Sequence, residues 1–154
     1  LTRGGAVLAA LLILGVMAVI TVGLNPRRDE FRWFLQLRRP AWLTFERWIP
    51  LIWLVIYACF YASALISWNA SFRLDLLAGY LLLLVLVQSY TLVICRTRQL
   101  RNGTAIGFIG WVWGLALAIA VAPVSTTSWW LLLPYLLWSP VGTLVTWQMQ
   151  RINR

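Results

Sequence analysis

The chain has 154 residues, of which 62% are hydrophobic and only 11% charged, and its mean hydropathy is +0.81. A soluble domain carries about 25% charged residues, so this composition excludes a water-soluble globule and makes lipid the solvent. The net charge is +9 and all 13 basic residues are arginine. They lie in short gaps between apolar runs, which points to membrane topology and anionic headgroups rather than to nucleic acid.

Five apolar runs of about 20 residues predict transmembrane helices at about 5–24, 49–68, 74–95, 104–123 and 129–149, with one long loop at 25–48. A hydrocarbon core of ~30 Å needs about that length. Each run must be helical, because lipid offers the backbone no hydrogen bonds. The expected fold is an all-α integral membrane protein, one five-helix transmembrane bundle.

The first run has Arg3 ahead of it and so resembles a signal peptide. It is too long for a typical signal core, and Gly23-Leu24-Asn25-Pro26 is a poor cleavage site, so a retained helix is expected. The loop 25–48 holds Asp29, Glu30 and Glu46, with Phe31, Trp33, Phe34 and Leu37 interleaved. From Asp29 to Leu37 the apolar positions suit either a short interfacial helix or a solvated loop pinned by aromatics. Such a segment could be a lid. Trp42, Trp48, Trp53, Tyr57, Tyr61 and Trp68 crowd the start and body of the second helix. They can be membrane-edge anchors or the wall of a pocket for a flat apolar ligand.

The third run opens with Asp75 beside Arg73, read as a cap or ion-pair partner rather than a proton carrier. No charge lies deep in any span, which argues against an ion-coupled pump or a voltage sensor. Gln88, the clearest mid-span polar group, can bond across helices or hold a ligand's polar head. In the fourth run Gly103 with Gly107, and Gly110 with Gly114, make two GxxxG spacings. They serve either internal packing or a homodimer face. In the fifth, Pro134 and Pro140 each remove a backbone donor and are expected to kink the helix. Tyr135, Trp138 and Gly142 share one face at intervals of three and four. That face is a flat slot or ordinary aromatic packing.

The chain has no His, which removes histidine acid–base catalysis, the usual zinc sites and a His haem ligand. Cys59 and Cys95 form no CxxC and read as small residues within apolar runs. No metal site or catalytic residue is expected. With five spans, Arg3 and Arg73 share one side. Arg27, Arg28, Arg32, Arg38, Arg39, Arg47, Arg96, Arg98, Arg101, Arg151 and Arg154 share the other. The positive-inside rule then puts the 25–48 loop and the C-terminus on the cytoplasmic side and the N-terminus outside.

Two segments resemble the TspO/MBR family of translocator proteins. Arg39-Pro40-Ala41-Trp42, followed by Trp53, Tyr57, Ala62, Ser63 and Trp68, resembles the family's KPxW loop and W-x-x-x-Y second helix. Leu132-Leu133-Pro134-Tyr135-Leu136-Leu137-Trp138, with Arg151-Ile152-Asn153 at the end, resembles its LLxPYxxW helix and terminal Arg-x-Asn. The resemblance covers nearly the whole chain. It departs at Leu43-Thr44-Phe45, where the family commonly has prolines. Val87 and Tyr90 stand for an Asn-x-x-Trp pair, and Thr146 for an Asn. Val145, Trp147 and Arg151 stand at the sterol-recognition pattern, with its Tyr replaced.

The resemblance implies a bundle that binds a tetrapyrrole or sterol-like small molecule for transport, sensing or turnover. Carried over by position, the ligand-binding candidates are Trp42, Trp53, Tyr57, Tyr90, Tyr135, Trp138, Ser139 and Gly142. Arg38 and Arg39 are the candidates for porphyrin propionates. No cofactor is required; porphyrin or haem would be bound as ligand, and a haem would lack a His ligand. The partners expected are the lipid bilayer and that ligand, with a homodimer or a larger membrane complex as further options and no nucleic acid. The alternative function is a structural or assembly subunit of such a complex, keeping the fold without ligand turnover.

Overall fold

The computed structural model describes residues 2–154. α1 (Arg3–Gly23) begins where the Thr2 hydroxyl accepts from the Gly5 N–H at 3.3 Å, and it stops short of Asn25-Pro26. α2 (Arg28–Leu35) is the short helix of the long loop. Asp29 and Glu30 lie in its first turn, and the Glu30 carboxylate accepts from the Arg27 N–H at 3.1 Å. Negative charge is stabilised there by the helix dipole. A 3-10 turn (Glu46–Trp48) leads into α3 (Ile49–Ser71), with Pro50 in the first turn, where its missing N–H costs nothing. α4 (Leu74–Thr97), α5 (Leu100–Val121) and α6 (Thr126–Ile152) follow.

Boundaries match the apolar runs to within a few residues, with one instructive difference. α5 starts at Leu100 rather than 104 and runs straight through Asn102-Gly103, which reads as a break. The break lies earlier, at Arg98, whose positive φ of 51° is matched only by Phe72, at 50°, among the non-glycine residues described. These two left-handed residues reverse the chain between α4 and α5 and between α3 and α4. Left-handed backbone costs a non-glycine residue about 1–2 kcal/mol.

α1, the stretch Glu46–Ser71, α4 and α5 are long and apolar enough to cross a membrane. α6, with 27 residues, is about 40 Å long at ~1.5 Å per residue. It is less apolar because Ser128, Ser139 and Thr146 are buried on its inner face. It packs extensively on both α5 and α3, so the five long helices make the multi-pass bundle that the sequence predicts. α6 stays one helix through both prolines. Pro140 has no N–H for the carbonyl of Leu136, and the Trp111 indole donates to that carbonyl instead, at 3.1 Å.

One core joins α3 to α6 around Ile56, Leu83, Val121, Leu132 and Tyr135. A second, under the loop, gathers Leu43, Ile94, Leu100, Val145 and Met149. Ser63 and Ser128 are fully buried and bond reciprocally, each hydroxyl donating to the other's carbonyl, at 2.7 and 3.0 Å. The Tyr80 hydroxyl lies 2.7 Å from Ser63 Oγ and therefore donates to it. Interhelical bonds of this kind are worth about 0.6 kcal/mol each in lipid. α1 is peripheral and buries none of its residues. It is tied by Tyr61 Oη to the Ala10 carbonyl at 3.1 Å and by Gln88 Nε2 to Thr21 Oγ1 at 3.0 Å.

The glycine face of α5 is occupied within the chain, which is the internal-packing reading of the two GxxxG spacings. A methyl group on Gly103 would strike Ile94 of α4, and one on Gly107 would lie 2.5 Å from Thr143 Oγ1 of α6. One on Gly114 would lie 2.8 Å from Tyr135 Cε1. A second copy could not use this face without expelling α4 and α6.

Candidate functional site

The long loop, the α4–α5 turn and the C-terminus meet at one end of the bundle. Glu30 Oε1 lies 4.0 Å from Arg96 Nε. Asn153 Oδ1 accepts from the Arg38 N–H at 2.9 Å, and Asn153 Nδ2 donates to the Arg38 carbonyl at 3.0 Å. Asn153, the last residue of the Arg-x-Asn pattern, makes this reciprocal clamp by itself. The loop then folds on itself around Arg39. Its guanidinium pairs with Glu46 at 2.8 Å, donates to the carbonyls of Phe34 and Leu37, and lies 4.8 Å over the Phe34 ring. Trp42 Nε1 donates to Gln148 of α6, and its ring leans on Phe45, which in turn meets Trp138 edge-on at 6.3 Å.

Beneath that loop is an inner cavity of about 40 Å³. Its wall takes Trp53 from α3, Tyr90 from α4, Gly107 and Gly110 from α5, and Tyr135, Trp138, Ser139, Gly142 and Thr143 from α6. Six ligand-binding candidates therefore surround one space: Trp53, Tyr90, Tyr135, Trp138, Ser139 and Gly142. A larger vestibule of about 420 Å³ shares Trp53, Val87 and Tyr90 with it. Tyr57 belongs to the vestibule, stacked on Trp53 at 5.6 Å and 30°. The rest of its wall includes Asn25, Arg28, Phe31, Gln88 and Thr91.

Tyr90 and Thr146, two positions where the sequence departs from the family pattern, meet each other. The Tyr90 hydroxyl bonds Thr146 Oγ1 and lies 3.4 Å from the Gly142 carbonyl. The phenol thus stretches from α4 to α6 along the floor of the inner cavity. Its ring and those of Trp53, Tyr135 and Trp138 give the space flat aromatic walls, which suit stacking on a conjugated ligand.

Other candidates lie elsewhere. Trp42 is exposed and reaches the cavity only through Phe45. Neither Arg38 nor Arg39 lines the cavity or the vestibule. Arg39 is committed to Glu46 and the loop carbonyls, and Arg38 is exposed. The guanidinium on the vestibule wall belongs to Arg28, at the head of α2 and three residues before Phe31 on the same face. That spacing, beside Pro26, was the signal available in the sequence. Val145, Trp147 and Arg151 do not share a surface: Val145 is buried under the loop, whereas Trp147 is exposed with Arg151 stacked on it at 3.9 Å. Gly107 and Gly110, read as a dimer face, line the inner cavity.

The sequence profile of the TspO/MBR family matches residues 6–152. The chain is 27% identical over 123 residues to the tryptophan-rich protein TspO of Bacillus cereus, covering 79% of this chain and 80% of that one. It is also 27% identical over 128 residues to the uncharacterized membrane protein YtaB of Bacillus subtilis, with 79% and 80% coverage.

Proposed function

The chain belongs to the TspO/MBR family, and from that premise we propose that it binds a flat, conjugated amphiphile of the tetrapyrrole type within its bundle. The convergence of Trp53, Tyr90, Tyr135, Trp138 and Gly142 on one cavity carries this reading. The ring system enters through the vestibule and stacks on Trp53, Tyr57 and Tyr90. Its acidic substituents meet Arg28, the one charged side chain on the vestibule wall. A bidentate guanidinium–carboxylate pair fits that chemistry. The inner cavity of about 40 Å³ receives the leading edge of the disc as the aromatic side chains part. With the arginine-rich end on the cytoplasmic side, the ligand exchanges with that compartment.

Titration of protoporphyrin IX into the detergent-solubilised protein, followed by tryptophan quenching, tests the reading. Trp138→Ala should weaken binding by roughly ten- to hundredfold, the loss of one stacking ring at about 1–3 kcal/mol. Trp130→Ala, at a ring 60% exposed on the outer surface, should leave it unchanged. The dimethyl ester should bind more weakly than the free acid, and Arg28→Gln should erase that difference. Equal affinity for wild type and Trp138→Ala would sink the proposal. A wild type that binds no porphyrin but copurifies with other membrane proteins would favour a role as a complex subunit.

A further inference from the structure

Another cavity, of about 330 Å³, opens at the same end of the bundle, and it shares no residue with the inner cavity or the vestibule. Three separate segments build it. Trp33 and Leu37 come from α2 and the loop, Arg98 from the α4–α5 turn with Arg101 from the first turn of α5, and Arg154 from the C-terminus. No acid lines it. The ion pairs among the described residues are Arg39–Glu46, Arg73–Asp75 and Arg96–Glu30, so none of these three arginines is neutralised by a carboxylate. Arg98 is also, among the described residues, one of two non-glycine residues with positive φ, at 51°. The turn that carries it is therefore held in an unfavourable backbone conformation, directly before the first turn of α5 that carries Arg101.

Three unpaired guanidinium groups around one concavity make a strong attractor for a phosphate-type anion. The apolar part of the wall and the depth decide the source. Trp33 and Leu37 are half-buried at the end where the arginines mark the headgroup layer, and indole rings favour that layer. We infer that this cavity binds the phosphodiester headgroup of an anionic phospholipid, with Arg98, Arg101 and Arg154 on the phosphate and Trp33 and Leu37 against the glycerol and first methylenes. Basic pockets between helices at the cytoplasmic face commonly take such headgroups. The headgroup bridges α2, the α4–α5 turn and the C-terminus, the same three segments that meet through Glu30–Arg96 and Asn153–Arg38. The inference is independent of what the inner cavity binds.

The test uses the full chain in a neutral detergent, with thermal shift and native mass spectrometry as readouts. The probes are dioctanoyl phosphatidylglycerol, dioctanoyl phosphatidylcholine and inorganic phosphate. Phosphatidylglycerol should bind at least about tenfold more tightly than either of the others. The double variant Arg101→Gln/Arg154→Gln, which leaves the strained turn untouched, should lose about tenfold or more of that affinity. The Lys/Lys version should keep most of it. Arg47→Gln removes one unit of charge from a side chain stacked on Trp48 outside the cavity, and should bind as wild type does. Equal binding of the two lipids, or of wild type and the Gln double variant, overturns the inference. Phosphate binding as tightly as phosphatidylglycerol overturns the lipid assignment in favour of a soluble anion.

Discussion

The bond from Trp111 to the Leu136 carbonyl makes a quantitative prediction. The carbonyl is free only because Pro140, four residues on, has no N–H, and Trp111 donates to it at 3.1 Å. Trp111→Phe keeps most of the ring and removes the donor. In lipid or detergent no water replaces it, so a buried acceptor is left unpaired. That costs about 1–3 kcal/mol in soluble proteins, and measured interhelical bonds in membranes average ~0.6 with a maximum of ~1.7. About 1 kcal/mol above the packing loss is therefore expected. Pro140→Ala returns an N–H to the same carbonyl. In that background Trp111→Phe should cost only the packing, leaving a coupling of about 0.6–1.7 kcal/mol between the two positions. Reversible unfolding in mixed micelles titrated with SDS measures all four corners of the cycle. An equal cost of Trp111→Phe in both backgrounds, within ~0.3 kcal/mol, would refute the account.

Gly114→Val should destabilise the bundle by about 1–3 kcal/mol, because a Cβ there lies 2.8 Å from Tyr135 Cε1. Its oligomeric state in detergent should match wild type, and a shift from dimer to monomer would restore an intermolecular role for the glycine face. Arg39→Ala breaks the Glu46 pair and two carbonyl bonds at once, so limited proteolysis should cut within 36–45 several-fold faster than in wild type. Unchanged cleavage would mean that the Asn153 clamp alone holds the loop. In a background with Cys59 and Cys95 replaced, a cysteine at position 36 should react with an impermeant reagent only from the cytoplasmic side; labelling from outside would reverse the orientation.

Much of the bundle is legible in the chain because lipid permits little else: a run of about 20 apolar residues must be a helix. The start of α5 was not legible. Asn102-Gly103 carries the local signature of a break, yet Gly103 is placed inside the helix by its contact with Ile94, and the break falls on Arg98, which has no turn propensity. The aromatic cavity was legible in part because Tyr135, Trp138 and Gly142 share a helical face. Its cation was not. Arg39 stands beside the loop tryptophan in sequence, but Glu46, seven residues on, claims it. Arg28 reaches the vestibule only because α2 folds back beside α4. The glycine spacings were ambiguous for a physical reason. A small face invites close approach whether the neighbour belongs to the same chain or another.

The central claim is that one flat ligand lies among the aromatic rings of α3, α4 and α6. Gly142→Phe tests it most directly, since Gly142 lines the inner cavity and its nearest side-chain neighbour, Trp138 Nε1, is 3.9 Å from where a Cβ would sit. The backbone can therefore accept the substitution while the new ring fills the space. A protoporphyrin IX titration of the folded variant should show affinity reduced by roughly tenfold or more relative to wild type. Undiminished affinity, with thermal stability unchanged, would mean that the ligand does not occupy this cavity.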